Sequence, residues 1–189
     1  MMELIVNVSA DWGIGMGDQL LVSIRADLRR FRDLTMGKTV ILGRKTLQTF
    51  PGGRPLKGRR NLILSANQAL EVPGAEVVHD LPELFAALAP DEEAVVIGGE
   101  SIYRQLLPFC RIARVTKSYV NYPADRFFPN LDLLPNWRLE SQGEMLEENG
   151  VQFQYVDYVN LDPCPVPAEQ EAKRKKSASP SCARPAIPI

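Results

Sequence analysis

Ten consecutive residues, Ala94-Val95-Val96-Ile97-Gly98-Gly99-Glu100-Ser101-Ile102-Tyr103, constrain the fold of this chain more than any other stretch. Residues 94–97 are apolar throughout, and the two valines and one isoleucine among them favour a strand buried on both faces. Beyond the two glycines, Ser101, Ile102, Tyr103, Leu106 and Leu107 carry the three- and four-residue spacing of a helix facing a core. The stretch therefore reads strand, glycine pair, helix. In open α/β sheets ligands sit at the carboxyl ends of strands. Two residues without Cβ allow close approach to the backbone, and the first N–H groups of a helix favour an anion. A tight strand-to-helix turn accounts for the same residues, and this segment alone does not separate the two readings.

The rest of the chain supplies the alternation that such a unit needs. Leu4–Val8 is a short apolar strand placed near the sheet centre. It runs into Ser9–Asp18, where Gly13, Gly15 and Gly17 alternate; this predicts a flexible loop, and its place at a strand end predicts a lid over a site. The dinucleotide fingerprint is missing there, because no third glycine falls at the right place and no helix begins. Thr39–Leu42 is a second buried strand, followed by Gly43-Arg44-Lys45-Thr46 and a short helical piece to Phe50. A basic pair at a helix start is either an anion site or solvated surface charge, and the first glycine of a P-loop is absent. A turn-rich basic loop spans residues 51–60, Asn61–Ser65 is a third strand, and Val77-Val78 a fourth with His79 just past it. Pro82–Leu88 reads as a helix with Leu84, Phe85 and Leu88 inward, which completes the α/β pattern of a largely parallel sheet. After Pro108 the texture changes. Strands at 113–120, 137–141 and 151–158, the last two joined through Asn149-Gly150, finish the sheet with antiparallel pairing.

One helix breaks its own pattern. From Arg25 to Thr35, Ile24, Leu28, Phe31 and Leu34 form the apolar stripe, and Arg25, Arg29, Arg30 and Arg32 take the solvent side. Asp27 lies three residues after Ile24 and four before Phe31, so it falls on the apolar face. A carboxylate there loses hydration and gains protons more easily unless it is paired, which makes it a candidate site residue. An early-helix acid favoured by the helix dipole, its tip reaching water, is the alternative.

Length and composition bound the function. With 189 residues the chain makes one domain with room for a tail. A net charge of −1 points to neither nucleic acid nor a membrane surface as partner. No apolar run approaches the ~20 residues that span a bilayer, and Met1-Met2-Glu3-Leu4 does not open a secretory signal. Cys110, Cys164 and Cys182 have no metal-like spacing and fit a reducing cytoplasm. The single histidine, His79, argues against a His-based triad or a multi-His metal site, and no metal is expected. From Asp162 to Ile189 prolines, small residues and the run Lys173-Arg174-Lys175-Lys176 predict a disordered, solvated basic tail after a domain of residues 1–161.

Taken in order, these pieces resemble the bacterial dihydrofolate reductases over roughly Leu4 to Val159. The resemblance is carried by Ile14-Gly15-Met16, Asp27 with Leu28 and Phe31, Gly43-Arg44-Lys45-Thr46, Arg54-Pro55-Leu56 with Gly58-Arg59, Asn61–Ser65, Val96-Ile97-Gly98-Gly99 with Ile102-Tyr103, Thr116, and Phe128-Pro129. It implies a three-layer α/β fold: a mixed, mostly parallel eight-stranded sheet flanked by helices, with antiparallel C-terminal strands. It implies reduction of 7,8-dihydrofolate to tetrahydrofolate with NADPH, by a cytoplasmic monomer that folate analogues inhibit. Asp27 would hold the pterin ring and promote protonation of N5, with Thr116 supporting the carboxylate. Ile5, Val6, Leu28, Phe31, Phe50, Leu56, Ile97 and Tyr103 would form the substrate pocket, and Arg59 would pair with the glutamate α-carboxylate. Gly98 and Gly99, often joined by a cis peptide, would meet the nicotinamide and pyrophosphate. Asn7, Ile14, Gly15, Leu20, Gly43, Arg44, Lys45, Thr46, Leu64, Ser65, His79, Glu100, Ser101 and Ile102 would complete the cofactor site.

Several positions depart from the pattern of that family. Val22 replaces a frequent tryptophan, and Leu21 and Arg25 replace frequent prolines. Asn7 stands where a small apolar residue usually borders the nicotinamide, and Ala66 and Ser101 replace residues that often grip the 2′-phosphate. A reductase of the same fold acting on a ribosylamino-pyrimidine, and a non-catalytic nucleotide-binding module, are the rival readings. Asp27 on its apolar face together with Arg59 argues against the former, and turnover of dihydrofolate separates all three.

Overall fold

The computed structural model of the chain describes residues 1–167. The first strand, β1 (Met2–Val8), is buried almost throughout. It is followed by β2 (Gly13–Met16) and β3 (Gln19–Leu20), and then by α1 (Arg25–Thr35). The next units are β4 (Thr39–Gly43) with α2 (Arg44–Gln48), β5 (Arg60–Leu64), β6 (Glu76–Val78) with α3 (Leu81–Ala87), and β7 (Ala94–Gly98) with α4 (Glu100–Leu106). The chain continues through β8 (Ile112–Ser118), β9 (Arg126–Phe127), β10 (Trp137–Gln142), β11 (Leu146–Glu148) and β12 (Val151–Asn160).

The main sheet runs β10-β12-β8-β1-β7-β4-β5-β6, which gives the eight expected positions. A ninth strand, β11, pairs with β12 beyond the end of β10 and extends the same edge. From β8 to β6 all neighbours are parallel; β12 is antiparallel to β8, and β10 and β11 are antiparallel to β12. Between β11 and β12, Asn149 and Gly150 both take positive φ, the requirement of the tight hairpin turn read from the sequence.

Period-two alternation divides the strands between two cores. Leu4, Val6, Ile41, Leu62 and Val96 pack on one face with Leu84 and Phe85 of α3 and Ile102 and Leu106 of α4. Ile5, Val40, Leu42, Ile63, Val95 and Ile97 pack on the other with Leu47 of α2 and Phe31 and Leu34 of α1. The result is three layers, helix on sheet on helix.

Three local expectations change. The Gly13–Gly17 segment is not a loop: β2 pairs with β3 and with β9 in a separate three-stranded sheet. Pairing with residues more than a hundred positions away overrides the weak strand propensity of alternating glycines. Arg30 does not take the solvent side. Its guanidinium lies 4.4 Å from the Tyr155 ring centroid and pairs with Asp157 at 3.4 Å, because β12 runs beneath that face of α1. Leu28, expected on the core stripe, is 48% exposed and packs in none of the buried clusters.

The tail expectation also changes at its start. The Cys164 N–H donates to the Pro108 carbonyl at 2.8 Å, and Val166 is buried in the core beside Met2, Leu88 and Ala94. Residues 168–189, including the run Lys173–Lys176, lie outside the described residues. Truncation after Leu161 exposes the Val166 site and is expected to cost roughly 2 kcal/mol, about 4–8 °C in Tm. Truncation after Pro167 keeps that packing, and comparing the two melting curves checks it.

Candidate active site

The carboxyl ends of β1, β4 and β7 lie side by side and open onto one cleft of about 620 Å³. Val6 and Asn7 of β1, Gly43 of β4 and Ile97 and Gly98 of β7 form its floor. One wall is the β2–β3 hairpin with Ile14, Gly15, Gly17, Asp18, Gln19 and Leu20. The opposite wall is α2, with Arg44, Lys45 and Thr46 at its start and Thr49 just past its end, and the start of α4 from Gly99 through Glu100, Ser101, Ile102 and Tyr103 to Arg104. Leu64 and Arg126 complete the lining.

The glycines decide what this cleft admits. A Cβ on Gly43 would come within 3.0 Å of Ile102, and one on Gly99 within 3.1 Å of the Thr46 hydroxyl. Gly98 has φ +124°, a region that side chains avoid, and the Gly98–Gly99 peptide is cis. The backbone there is bare and lies next to Arg44 and Lys45, both exposed and without an ion-pair partner among the described residues. An elongated ligand with a flat apolar end and phosphates fits this floor and rim, so the residues present suit a nicotinamide dinucleotide.

At the inner end the cleft meets a half-buried carboxylate. Thr116 of β8 donates its hydroxyl to Asp27 Oδ1 at 2.5 Å, and Asn7 of β1 donates its amide to Oδ2 at 3.0 Å. Asn7 and Thr116 are register partners on adjacent strands, which puts both side chains on the face that α1 covers. Ile5, Phe31, Phe50, Leu56 and Ile97 belong to one apolar cluster on that face. Tyr103 donates its hydroxyl to the Ile5 carbonyl at 2.7 Å, and burial raises its phenol pKa far enough that it stays protonated.

Arg59 stands at the far end of α1. Its Nη1 donates to the Thr35 hydroxyl at 3.1 Å and its Nε to the Lys57 carbonyl at 3.1 Å. Burial, and then the like charge of Arg32, lower its pKa from the ordinary arginine value, and no carboxylate pairs with it among the described residues. Ser65 and His79 sit together, His79 Nδ1 lying 2.9 Å from the Ser65 carbonyl, but neither lines the cleft. Sequence reasoning missed Gly17, Asp18, Gln19, Thr49, Arg104 and Arg126. The signal for the first three was the glycine alternation, read as a flexible lid over a site without these three residues being assigned to it. Among the described residues no helix is long and apolar enough to cross a membrane, and no group of three His, Cys, Asp or Glu side chains could hold a metal ion.

Comparison with known proteins agrees with this geometry. The dihydrofolate reductase family model matches residues 1–160. The dihydrofolate reductase of Neisseria gonorrhoeae is 37% identical over 147 residues, covering 77% of this chain and 90% of that protein. The Bacillus subtilis enzyme is 32% identical over 160 residues, covering 84% and 94%. A solved structure of dihydrofolate reductase from Enterococcus faecalis, complexed with NADP(H) and RAB-propyl, superposes with a TM-score of 0.79 at 26% identity, covering 86% of this chain and 97% of that one. With its sheet order, its glycine-floored cleft and its helix-borne carboxylate, the chain belongs to the dihydrofolate reductase family.

Proposed function

We propose that this enzyme, which reduces 7,8-dihydrofolate to 5,6,7,8-tetrahydrofolate with NADPH, uses Asp27 to anchor the pterin and to promote protonation at N5. One observation carries the reading: a carboxylate held from behind by two donors at the mouth of an apolar pocket. An ionised carboxylate has about four acceptor positions. Thr116 and Asn7 take one on each oxygen, so each oxygen keeps one for the paired ring N–H and 2-amino group of a pterin. Phe31, Phe50, Leu56 and Ile5 exclude water around the ring, Leu28 closes over it, and Arg59 pairs with the glutamate α-carboxylate of the substrate. Bound NADPH supplies the hydride that C6 accepts. Gly98 and Gly99 would leave room for the nicotinamide at the strand ends, and Arg44, Lys45 and Thr46 would hold the phosphates. Fixing two planar rings face to face in a dry pocket removes most of the entropic barrier to transfer. Folate analogues bind at the same carboxylate, and the enzyme acts as a cytoplasmic monomer. Following NADPH absorbance with dihydrofolate as substrate tests the assignment; no turnover would refute it.

Arg44 reads the 2′-phosphate in this scheme. Because its side chain is exposed, the charge-assisted bond lies at the low end of about 1.5–3 kcal/mol. Arg44→Ala is expected to raise the KM for NADPH about tenfold and to leave that for NADH within a factor of two. Equal losses for both cofactors would show that Arg44 does not contact that phosphate.

A further inference from the structure

We infer that Asn7 and Ser118 form a positioning relay that fixes the Asp27 carboxylate for proton handling, and that the Asn7 side chain serves the carboxylate rather than the cofactor. Ser118 is fully buried on β8, two residues beyond Thr116 and on the same face of the sheet. Its hydroxyl donates to Asn7 Oδ1 at 2.8 Å, and Asn7 Nδ2 donates to Asp27 Oδ2 at 3.0 Å. The carboxylate decides which way the amide faces. An ionised carboxylate accepts only, so the nitrogen must point at it, and Ser118 then meets the amide oxygen. Every proton in the line Ser118, Asn7, Asp27 is directed toward the carboxylate, and Thr116 donates another to its other oxygen.

This arrangement has two effects. Thr116 alone would hold one oxygen and leave the carboxylate free to rotate about its bond to Cβ; Asn7 fixes the second oxygen and thereby the plane in which a pterin must lie. The same donors also stabilise the negative charge that the carboxylate turns toward the substrate. Among the described residues, ionisable groups that interact with Asp27 include Arg30 on its own helix, Tyr155 on β12 and Tyr103 on α4. None of them hydrogen-bonds to Asp27 or Asn7 among the described residues, so substitutions at Asn7 and Ser118 leave them in place.

The inference rests on Asp27 being the pterin carboxylate. The test is the pH profile of kcat/KM for dihydrofolate, measured with saturating NADPH on the parent, Asn7→Ala, Ser118→Ala and the double variant. Removing the donor raises the proton affinity of the site. The pH at which the rate falls is therefore expected to move up by about half to one unit in Asn7→Ala, with a smaller shift in the same direction in Ser118→Ala. Because the serine acts through the amide, the double variant should match Asn7→Ala rather than the sum of the two. Asn7→Asp, which keeps the shape and sets a second carboxylate against the first, should shift the profile further in that direction. A purely structural role would lower Tm and leave the profile unmoved. An unshifted profile in Asn7→Ala, or additive shifts in the double variant, would overturn the relay. Those outcomes leave the role of Asp27 standing, whereas full activity in Asp27→Asn removes that role itself.

Discussion

Asp27→Asn is expected to lower turnover by two to four powers of ten at neutral pH, about 3–5 kcal/mol of transition-state stabilisation. The substitution keeps the shape and removes the charge. The new amide turns an NH2 toward one of two groups that are themselves donors, Thr116 Oγ1 and Asn7 Nδ2. The threonine hydroxyl can rotate and accept, but the amide of Asn7 is held by Ser118. The pterin then loses a charged partner for its paired N–H groups, and N5 loses the negative field that favours its proton. Activity should partly return in acid, where solution supplies dihydrofolate already protonated. The Kd for NADPH should change less than twofold, because Asp27 does not line the cleft that Gly98 and Gly99 floor. Stopped-flow hydride transfer across pH checks all three statements, and parent-like turnover at neutral pH would refute the mechanism.

The second large effect is expected far from that carboxylate, at Gly13. A Cβ there would sit 2.7 Å from Ala124 Cβ, 2.8 Å from Ser9 Oγ and 2.9 Å from Leu21 Cδ2. Leu21 Cδ2 ends a flexible side chain that can turn aside, but the other two cannot give way at little cost. Ala124 is a bare methyl, and Ser9 Oγ both accepts the Gly13 N–H at 2.9 Å and donates to Asp11 at 2.5 Å. The backbone of β2 must therefore move off β9. That movement strains two of the contacts that tie the hairpin down, Asp125 N–H to the Gly15 carbonyl and Gly17 N–H to the Asp125 carboxylate, both at 3.1 Å. Gly13→Ala should cost about 3 kcal/mol, the upper end for overpacking, and lower Tm by about 6–12 °C. The same hairpin is one wall of the cofactor cleft, so NADPH affinity should fall with it. Calorimetry with and without NADPH separates the two losses, and an unchanged Tm would mean that the hairpin yields without resistance.

How far these features could be read in advance depended on where their partners lay. Residues 94–107 and the helix from Arg25 to Thr35 declare themselves because a local apolar rhythm matches one element. The Asn149-Gly150 turn does so because only residues tolerant of positive φ fit there. Asp27 was visible as an acid out of phase with its own helix. What could not be read is what β12 and β9 do for distant residues. Nothing local to Arg30 announces the Tyr155 ring, and nothing in the alternating glycines announces a strand at Arg126–Phe127. Val166 was lost in a proline-rich context, where one valine carries no periodicity. Asn7 could be seen as an odd residue in an apolar strand, but the hydroxyl that orients it lies 111 positions away.

The cap of α1 has a consequence for how the chain is made. Ile24, at the start of that helix, has no side-chain oxygen, and the Glu148 carboxylate on β11 accepts the N–H groups of Arg25 at 2.6 Å and Ala26 at 3.2 Å instead. During synthesis the helix emerges more than a hundred residues before its cap. The strand that holds Asn7 likewise waits for β7 and β8 before it has a neighbour on either side. Closing loops of that length costs entropy before any contact compensates, so the early segments stay open until the late ones arrive. A nascent chain released as far as Ser118 has the Asp27 carboxylate and both its donors, but not the cap that seats the helix bearing it. The ribosome therefore delivers Asp27 first and the means of holding its helix last, with the β11–β12 hairpin.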